Sequence, residues 1–431
     1  MHHSNEQPNP QDRLHKIVED GMCIGCGLCQ AVAGPQKVKA VKVTSGHIRP
    51  VPGPNLDHKD VDLIYDVCPG TRVDGLPERL VDETTQMDLV WGAHRAIVLA
   101  HAGDPDIRFE GSTGGVLTAL GTYLLETEQV EFIFHTRTSK TEPTFGESTL
   151  SFTSGDVWEA AGSRYGPTAT LVDIKDVLNR GEPFAFIGKP CDIGALRNYA
   201  RHDPRVDELV KYWLTLVCGG YMPPAAMNDF LARYDIAPED VTAFRYRGRG
   251  CPGPTRFETR QGLVKELRYT DFWGEDESGW SLPFRCKVCP DGIGESADIA
   301  VSDAWPGGSP DPNTEDQDPG ANAMIARTFA GQELLQAAIR DGALGVDDPD
   351  LTPEQMTEYQ PHQMKKKYAV WARFEGLKAE GCTVPVTRRL RLKSLADEMG
   401  DDFNTLQADG TRQRVRAGKT TEPTPQPAEP N

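Results

Sequence analysis

The 431-residue sequence predicts an α/β (α+β) core with a small cysteine-organised module in front of it. Three observations predict it. Apolar runs alternate with helical patterns from Arg95 onward, those runs end at glycines or cysteines, and the first 85 or so residues are instead short Pro- and Gly-punctuated segments.

The N-terminal segment holds Cys23, Cys26, Cys29 and Cys68 with little sustained periodicity, as a module organised by a bound group would. The α/β texture then runs through Ala96–Ala100, Val116–Leu125, Phe132–Phe134 and Phe184–Ile187. A helical stretch from Cys191 to Ala200 follows, and Trp213–Val217 leads into Cys218. Ligands of open α/β sheets gather at the carboxyl ends of strands, so the residues just after each run are where a site belongs. Gly307-Gly308 to Gly320 reads as a surface loop and Gln332–Arg340 as a helix. The tail Ala408–Asn431 is polar and Pro-rich and is expected to be disordered.

Bulk composition narrows the function classes. With 38% apolar and 26% charged residues the chain is an ordinary soluble globular protein, long enough for two or three structural units. A net charge of -18 repels a phosphate backbone and argues against nucleic acid as partner. Met1–Asp12 has no apolar core and no stretch approaches the roughly 18 apolar residues of a membrane span, so a cytoplasmic protein is expected. Ten cysteines in such a chain point to metal or redox chemistry rather than disulfides, because the cytosol keeps thiols reduced.

Cys23-Ile-Gly-Cys26-Gly-Leu-Cys29 puts three thiolates on one tight loop whose glycines let amides approach inorganic sulfide, which is iron-sulfur spacing. A bacterial ferredoxin places its next cysteine where this chain has Ala33. Cys68, followed by Pro69, is the natural fourth ligand, giving one 4Fe-4S cluster; without it a three-iron cluster is the alternative. A zinc site or plain buried thiols are the competing readings. Cys286-Lys-Val-Cys289-Pro-Asp291 alone fits half a zinc site, a redox dithiol or a cluster pair, and the following Pro290, Gly292 and Gly294 argue against the dithiol. Cys191 and Cys218, both at strand ends, complete a second set of four, with Cys251 competing for the fourth place.

Gly111-Ser112-Thr113-Gly114-Gly115 opens a helix, and a glycine turn there is an anion site because free amides and the positive dipole end face a phosphate. It has neither the GxGxxG nor the Walker spacing. Gly162-Ser163-Arg164-Tyr165 adds a guanidinium for phosphate and an aromatic face for a ring, or is a plain loop. Arg245, Tyr246, Arg247 and Arg249 form a basic patch that can hold a pyrophosphate or an anionic substrate, or is a solvated face.

The order of the first cysteine set, Gly111–Gly115, Gly188-Lys189-Pro190-Cys191-Asp192, Cys218, and Cys286 to Asp298 resembles the coenzyme F420 hydrogenase/dehydrogenase beta-subunit family over residues 20–305, a family that includes 7-hydroxymethyl chlorophyll reductases. The resemblance implies FAD and 4Fe-4S clusters but no particular substrate. It implies a ferredoxin-like iron-sulfur module over 1–85, a flavin-binding domain over 90–172, a domain with the second cluster over 173–345, a helical extension over 346–407 and the tail over 408–431. It assigns Cys191, Cys218, Cys286 and Cys289 to the second cluster, leaving Cys251 spare. It places flavin contacts at Gly111–Gly115, Ser163, Arg164, Tyr165 and Gly188.

Lys189 departs from the Thr common in the family, and its ammonium is a candidate catalytic group for a reduced anionic flavin or an acidic substrate. The expected activity is electron transfer between two clusters and a flavin, to or from a deazaflavin coenzyme or an unsaturated substrate, fed by a ferredoxin-type or subunit partner. The rivals are an electron-transfer subunit without its own substrate and a zinc-stabilised binding module.

Overall fold

In the computed structural model, which describes residues 8–273, 281–311, 313 and 317–428, eight strands join in one mixed sheet. They are β1 (Ala96–Ala102), β2 (Phe132–Thr138), β3 (Gly146–Ser151), β4 (Phe184–Gly188), β5 (Val210–Leu216), β6 (Ile299–Asp303), β7 (Asn322–Ala326) and β8 (Leu344–Asp348). Their order across the sheet is β8-β1-β7-β6-β5-β4-β2-β3. β2, β4, β5 and β6 run parallel, and the flanking neighbours pair antiparallel.

The parallel centre is covered on both faces, so Phe184-Ala185-Phe186-Ile187 is apolar throughout rather than alternating. Phe132 stacks on Phe184 at 5.0 Å and Phe134 on Phe186 at 5.1 Å, fixing the register of β2 against β4. Helices Val116–Glu126 and Phe329–Arg340 bury Leu120, Leu124, Leu334 and Leu335 on one face. Each such side chain contributes about 1.5–3 kcal/mol relative to exposure.

The N-terminal module shares the core of the other face, where Leu14, Ile17 and Ile64 join Phe186, Ile193 and Trp213. Its helix Pro10–Glu19 starts at the Asn9 cap, and its hairpin pairs Val38–Lys42 with Ile48–Pro52. The helix His58–Val67 starts at an Asp57/Asp60 capping box and stops at Cys68, the residue before Pro69, where the α conformation is disfavoured. The stretches 90–172 and 173–345 contribute to one sheet, because β7 and β8 return to pair with β1.

The tail departs from its expected disorder. The helix Leu392–Arg416 breaks at Gly400, whose φ is +74°, and continues through residue 416. It packs on helix Pro361–Ala379 so closely that a Cβ at Gly376 would lie 2.5 Å from the Ala408 carbonyl oxygen. Glu380 collects Arg412 and Arg416, and beyond the helix Glu422 pairs with fully buried Arg49 while Ala428 N–H bonds the Lys42 carbonyl. This order comes from partners in another helix and, for Glu422 and Ala428, in the N-terminal module, which local composition does not register. Residues 1–7, 429–431 and four positions of the expected 307–320 loop (312 and 314–316) lie outside the described residues. Among the described residues no helix is long and apolar enough to cross a membrane.

Candidate functional site

The loop carrying Cys23 and Cys26 runs through Gly25 (φ +75°) and Gly27 (φ +82°) into the helix Leu28–Ala33, whose first turn holds Cys29. Only glycine fits at Gly27, because a Cβ there would sit 2.8 Å from Val172 while the backbone is left-handed. Cys68 caps the helix His58–Val67, and all four cysteines line one cavity walled by Leu14, Ile17, Ile24, Leu28, Ile64 and Val67. The Gly25 amide donates to Cys23 Sγ at 3.4 Å and the Gly70 amide to Cys68 Sγ at 3.3 Å. Burial pushes all four thiols up, Cys68 to about 11, and mutual repulsion adds to it: Cys68 acts on Cys26, and Cys23 on Cys29 and Cys68. Thiolates packed this way need a positive centre among them.

The second set forms at the carboxyl ends of neighbouring strands. Cys191 lies in the first turn after β4 and Cys218 two residues past β5, while Cys286 and Cys289 approach on a short helical turn before β6. The Cys218 amide donates to Gly292 O at 2.7 Å, joining the β5 end to the Cys286–Cys289 loop. Burial raises Cys191, Cys218 and Cys286, the last to about 12, and each is raised further by other members of the set. Cys251 is not among them; its Sγ–H donates to Asp318 at 3.4 Å. Among the described residues no group of three or more His, Cys, Asp or Glu is gathered tightly enough for a single metal ion. Thiolates of a multi-iron cluster surround a wider volume than a single ion does.

Two cations stand between the sets. Arg285, 1% exposed, donates from Nε and Nη2 to the carbonyl of Pro69, next to Cys68. Burial alone would lower its pKa, but thiolates Cys289, Cys191 and Cys286 raise it, with an upward balance. Lys189 Nζ pairs with Asp192 at 2.5 Å and donates to Thr170 at 3.3 Å; burial opposes its charge, and Asp192, Cys191 and Cys26 restore it. The ammonium is thus paired within the protein, between the cysteine sets.

The glycine turn lies along the same sheet edge. A Cβ at Gly114 would come 2.7 Å from Asn322 Oδ1 at the start of β7, which explains the small residue. The Ser163 amide donates to Ser112 Oγ at 2.6 Å, so the two turns expected to form one site do meet. Arg247 ties them together: it donates to Ser112 O at 2.7 Å, to Thr113 Oγ1 at 2.6 Å, to both oxygens of Asp303 at 2.8 Å and to Tyr165 Oη at 3.3 Å. Burial works against ionised Asp303, but Arg247 holds it below the usual carboxylate range. Tyr269 and Trp305 face the same guanidinium at 5.2 and 4.7 Å.

Beside this knot, half-buried Arg164 donates only to the carbonyls of Ser163 and Ala161, and its buried Nε has no partner. Burial and then the neighbouring Arg245 pull it down to about 10. Arg245 Nε is likewise buried and unpartnered, with Glu110 the nearest carboxylate at 3.4 Å. Two guanidiniums crowded together with idle donors form a site for an anion.

Gly188 ends β4, two strand positions from Asp303 at the end of β6 and four from β1, about 10 and 19 Å at the usual strand spacing, and it packs against the Phe186 ring. Arg247 was visible in the sequence only as part of a basic patch. Asp303, Tyr269, Trp305 and Arg285 carried no motif, and only the strand-end position of Asp303 could have marked it.

A parallel-centred sheet whose carboxyl edge carries a glycine turn and buried thiols defines an α/β redox scaffold. Residues 97–175 match the N-terminal part, and residues 181–352 the C-terminal part, of the family described as coenzyme F420 hydrogenase/dehydrogenase, beta subunit. The chain belongs to the coenzyme F420 hydrogenase/dehydrogenase beta-subunit family. The second cysteine set falls inside the matched region and the first set before it.

Among relatives, the F420-dependent formate dehydrogenase 1 subunit beta of Methanococcus maripaludis is 29% identical over 58% of this chain and 60% of that one. The coenzyme F420-dependent sulfite reductase of Methanocaldococcus jannaschii is 25% identical over 75% of this chain and 47% of its own. The coenzyme F420 hydrogenase subunit beta of Methanothermobacter thermautotrophicus is 23% identical over 59% of this chain and 84% of that one. The match thus spans less than two thirds of the first two relatives. A chain of the F420-reducing [NiFe] hydrogenase complex from Methanosarcina barkeri superposes with a TM-score of 0.48 at 20% identity, covering 66% of this chain and 95% of that one.

Proposed function

We propose that this chain is an iron-sulfur flavoprotein oxidoreductase that moves electrons between two 4Fe-4S clusters and FAD, to reduce or oxidise a deazaflavin coenzyme or an unsaturated substrate. The observation that carries the reading is the line of groups along one sheet edge. The first cysteine set adjoins Lys189 and Arg285, these adjoin the second set at the ends of β4 and β5, and Asp303 at the end of β6 leads to the glycine turn after β1.

Cys23, Cys26, Cys29 and Cys68 would hold one cluster, and Cys191, Cys218, Cys286 and Cys289 the other. Burial and mutual repulsion make the thiols costly as free thiolates, which iron offsets. Arg164 and Arg245 would receive the pyrophosphate of FAD, with the amides of Gly111–Gly115 beside them. Bound flavin supplies the exchange between single electrons and a hydride. Arg247 fixes both turns, and Tyr165, Tyr269 and Trp305 wall the corner against water.

The relatives named as subunits support a second reading, in which the chain relays electrons to a catalytic partner and has no acceptor of its own. Stopped-flow mixing of the anaerobically reduced protein with coenzyme F420 distinguishes the two. Loss of the coenzyme's absorbance at a rate faster than protein-free controls supports the enzyme; electron transfer only after a ferredoxin-type protein or another subunit is added supports the relay.

A further inference from the structure

Away from the proposed redox edge, six arginines surround one open cleft of about 370 Å³: Arg72, Arg79, Arg197, Arg201, Arg388 and Arg389. Three distant parts of the chain build it, through the parallel pairing of Val386–Arg388 with Arg72–Asp74 and the end of helix Pro190–Tyr199. In a chain of net charge -18 such a gathering is not background. Arg197 bonds Asp298 and stacks on Trp213 at 3.9 Å; Asp298 immediately precedes β6 and Trp213 lies in the first half of β5, which puts the cleft toward the amino ends of the strands, away from the glycine turn.

Internal partners account for only part of this charge. Arg72 is held by Asp66 and Asp74, Arg201 by Asp66, Arg197 by Asp298, and Arg79 by Asp207. The guanidinium of Arg389 donates to the carbonyls of Gly75 and Leu76, and its backbone takes an uncommon φ of +61°. Arg388 is exposed and has no carboxylate partner among the described residues. Asp74, whose side chain is 8% exposed, receives Arg72, Arg201 and Arg389 on one oxygen, while its other oxygen is buried without a donor. The cleft thus offers the fork of Arg388, unpaired among the described residues, and with it Arg79, whose bonds to Asp207 run from Nη2 alone.

We infer that this cleft is a binding site for a small phosphate-bearing anion. Planar guanidinium forks match phosphate oxygens. A pocket of this volume suits a small molecule, and no aromatic ring lines it to stack a base.

The test is calorimetric titration of pyrophosphate into the full chain, first saturated with FAD so that the Arg164 corner is filled. The expected result is one site per chain, weakened about tenfold or more by Arg388→Glu and independently by Arg79→Ala, with thermal stability and iron content unchanged for Arg388→Glu. Binding that FAD abolishes, or that neither substitution weakens, overturns the assignment. So does pyrophosphate binding no tighter than sulfate, which marks a nonspecific basic patch. Protection of this face from hydrogen exchange by an acidic protein, without pyrophosphate binding, would make it a docking surface instead.

Discussion

Arg164 has only backbone carbonyls for partners and a second guanidinium beside it, so it is placed for a ligand rather than for the stability of the empty protein. Arg164→Met is predicted to weaken FAD binding by roughly 10- to 100-fold, the effect of losing a charged hydrogen bond, while leaving the melting temperature of the flavin-free protein unchanged or raised. Fluorescence titration of FAD and thermal melts check both halves. Arg285 places one buried positive charge between both cysteine sets. Its replacement by Leu should move both cluster midpoint potentials negative, since the lost cation favoured the more reduced state, and EPR-monitored redox titration reads the shift. Glycine and cysteine positions were legible because their spacing is itself the chemistry. Arg247 and Asp303 were not, since they meet only when β6 and the 245–250 loop converge.

At the scale of elements, the alternation of apolar runs foretold strands such as β1, β4 and β5, most of whose residues are wholly or partly buried. The antiparallel return of β7 and β8 to β1 was not foretold, because strand order rests on long-range pairing. The C-terminal helix pair shows the same limit: Gly376 lets two helices touch, and polar residues that look solvated are paired across them. Gly376→Val is predicted to force these helices apart and cost about 1–3 kcal/mol, the usual effect of overpacking, measurable by urea unfolding. Removing residues 417–431 deletes Glu422 and strands Arg49, 1% exposed, beside Cys23. The truncated protein should lose its first-set iron in air several-fold faster than the full chain while keeping the second; equal rates would show that the tail does not shield it.

For the molecule as a whole, three histidines are held uncharged by burial. His47, His135 and His362 are each lowered to about 4, with Arg49, Arg164 and Lys366 respectively adding to the effect. The unfolded chain binds these protons near pH 6.5 and the folded one does not. Their contribution to stability is therefore complete above pH 6.5 and is lost as pH falls toward 4. Urea midpoints should drop across that window, and His135→Gln, which keeps a partner for Ser151 Oγ, should flatten the drop.

On the proposed reading, eight cysteines in two sets serve a flavin at the far end of one sheet edge. Iron, sulfide, zinc and flavin content, with EPR spectra, on protein prepared without oxygen tests it most directly. The account predicts about eight irons, eight sulfides and one flavin per chain, with Cys289→Ser removing half of the iron and Cys29→Ser the other half. Zinc in place of iron, with no flavin, would contradict it.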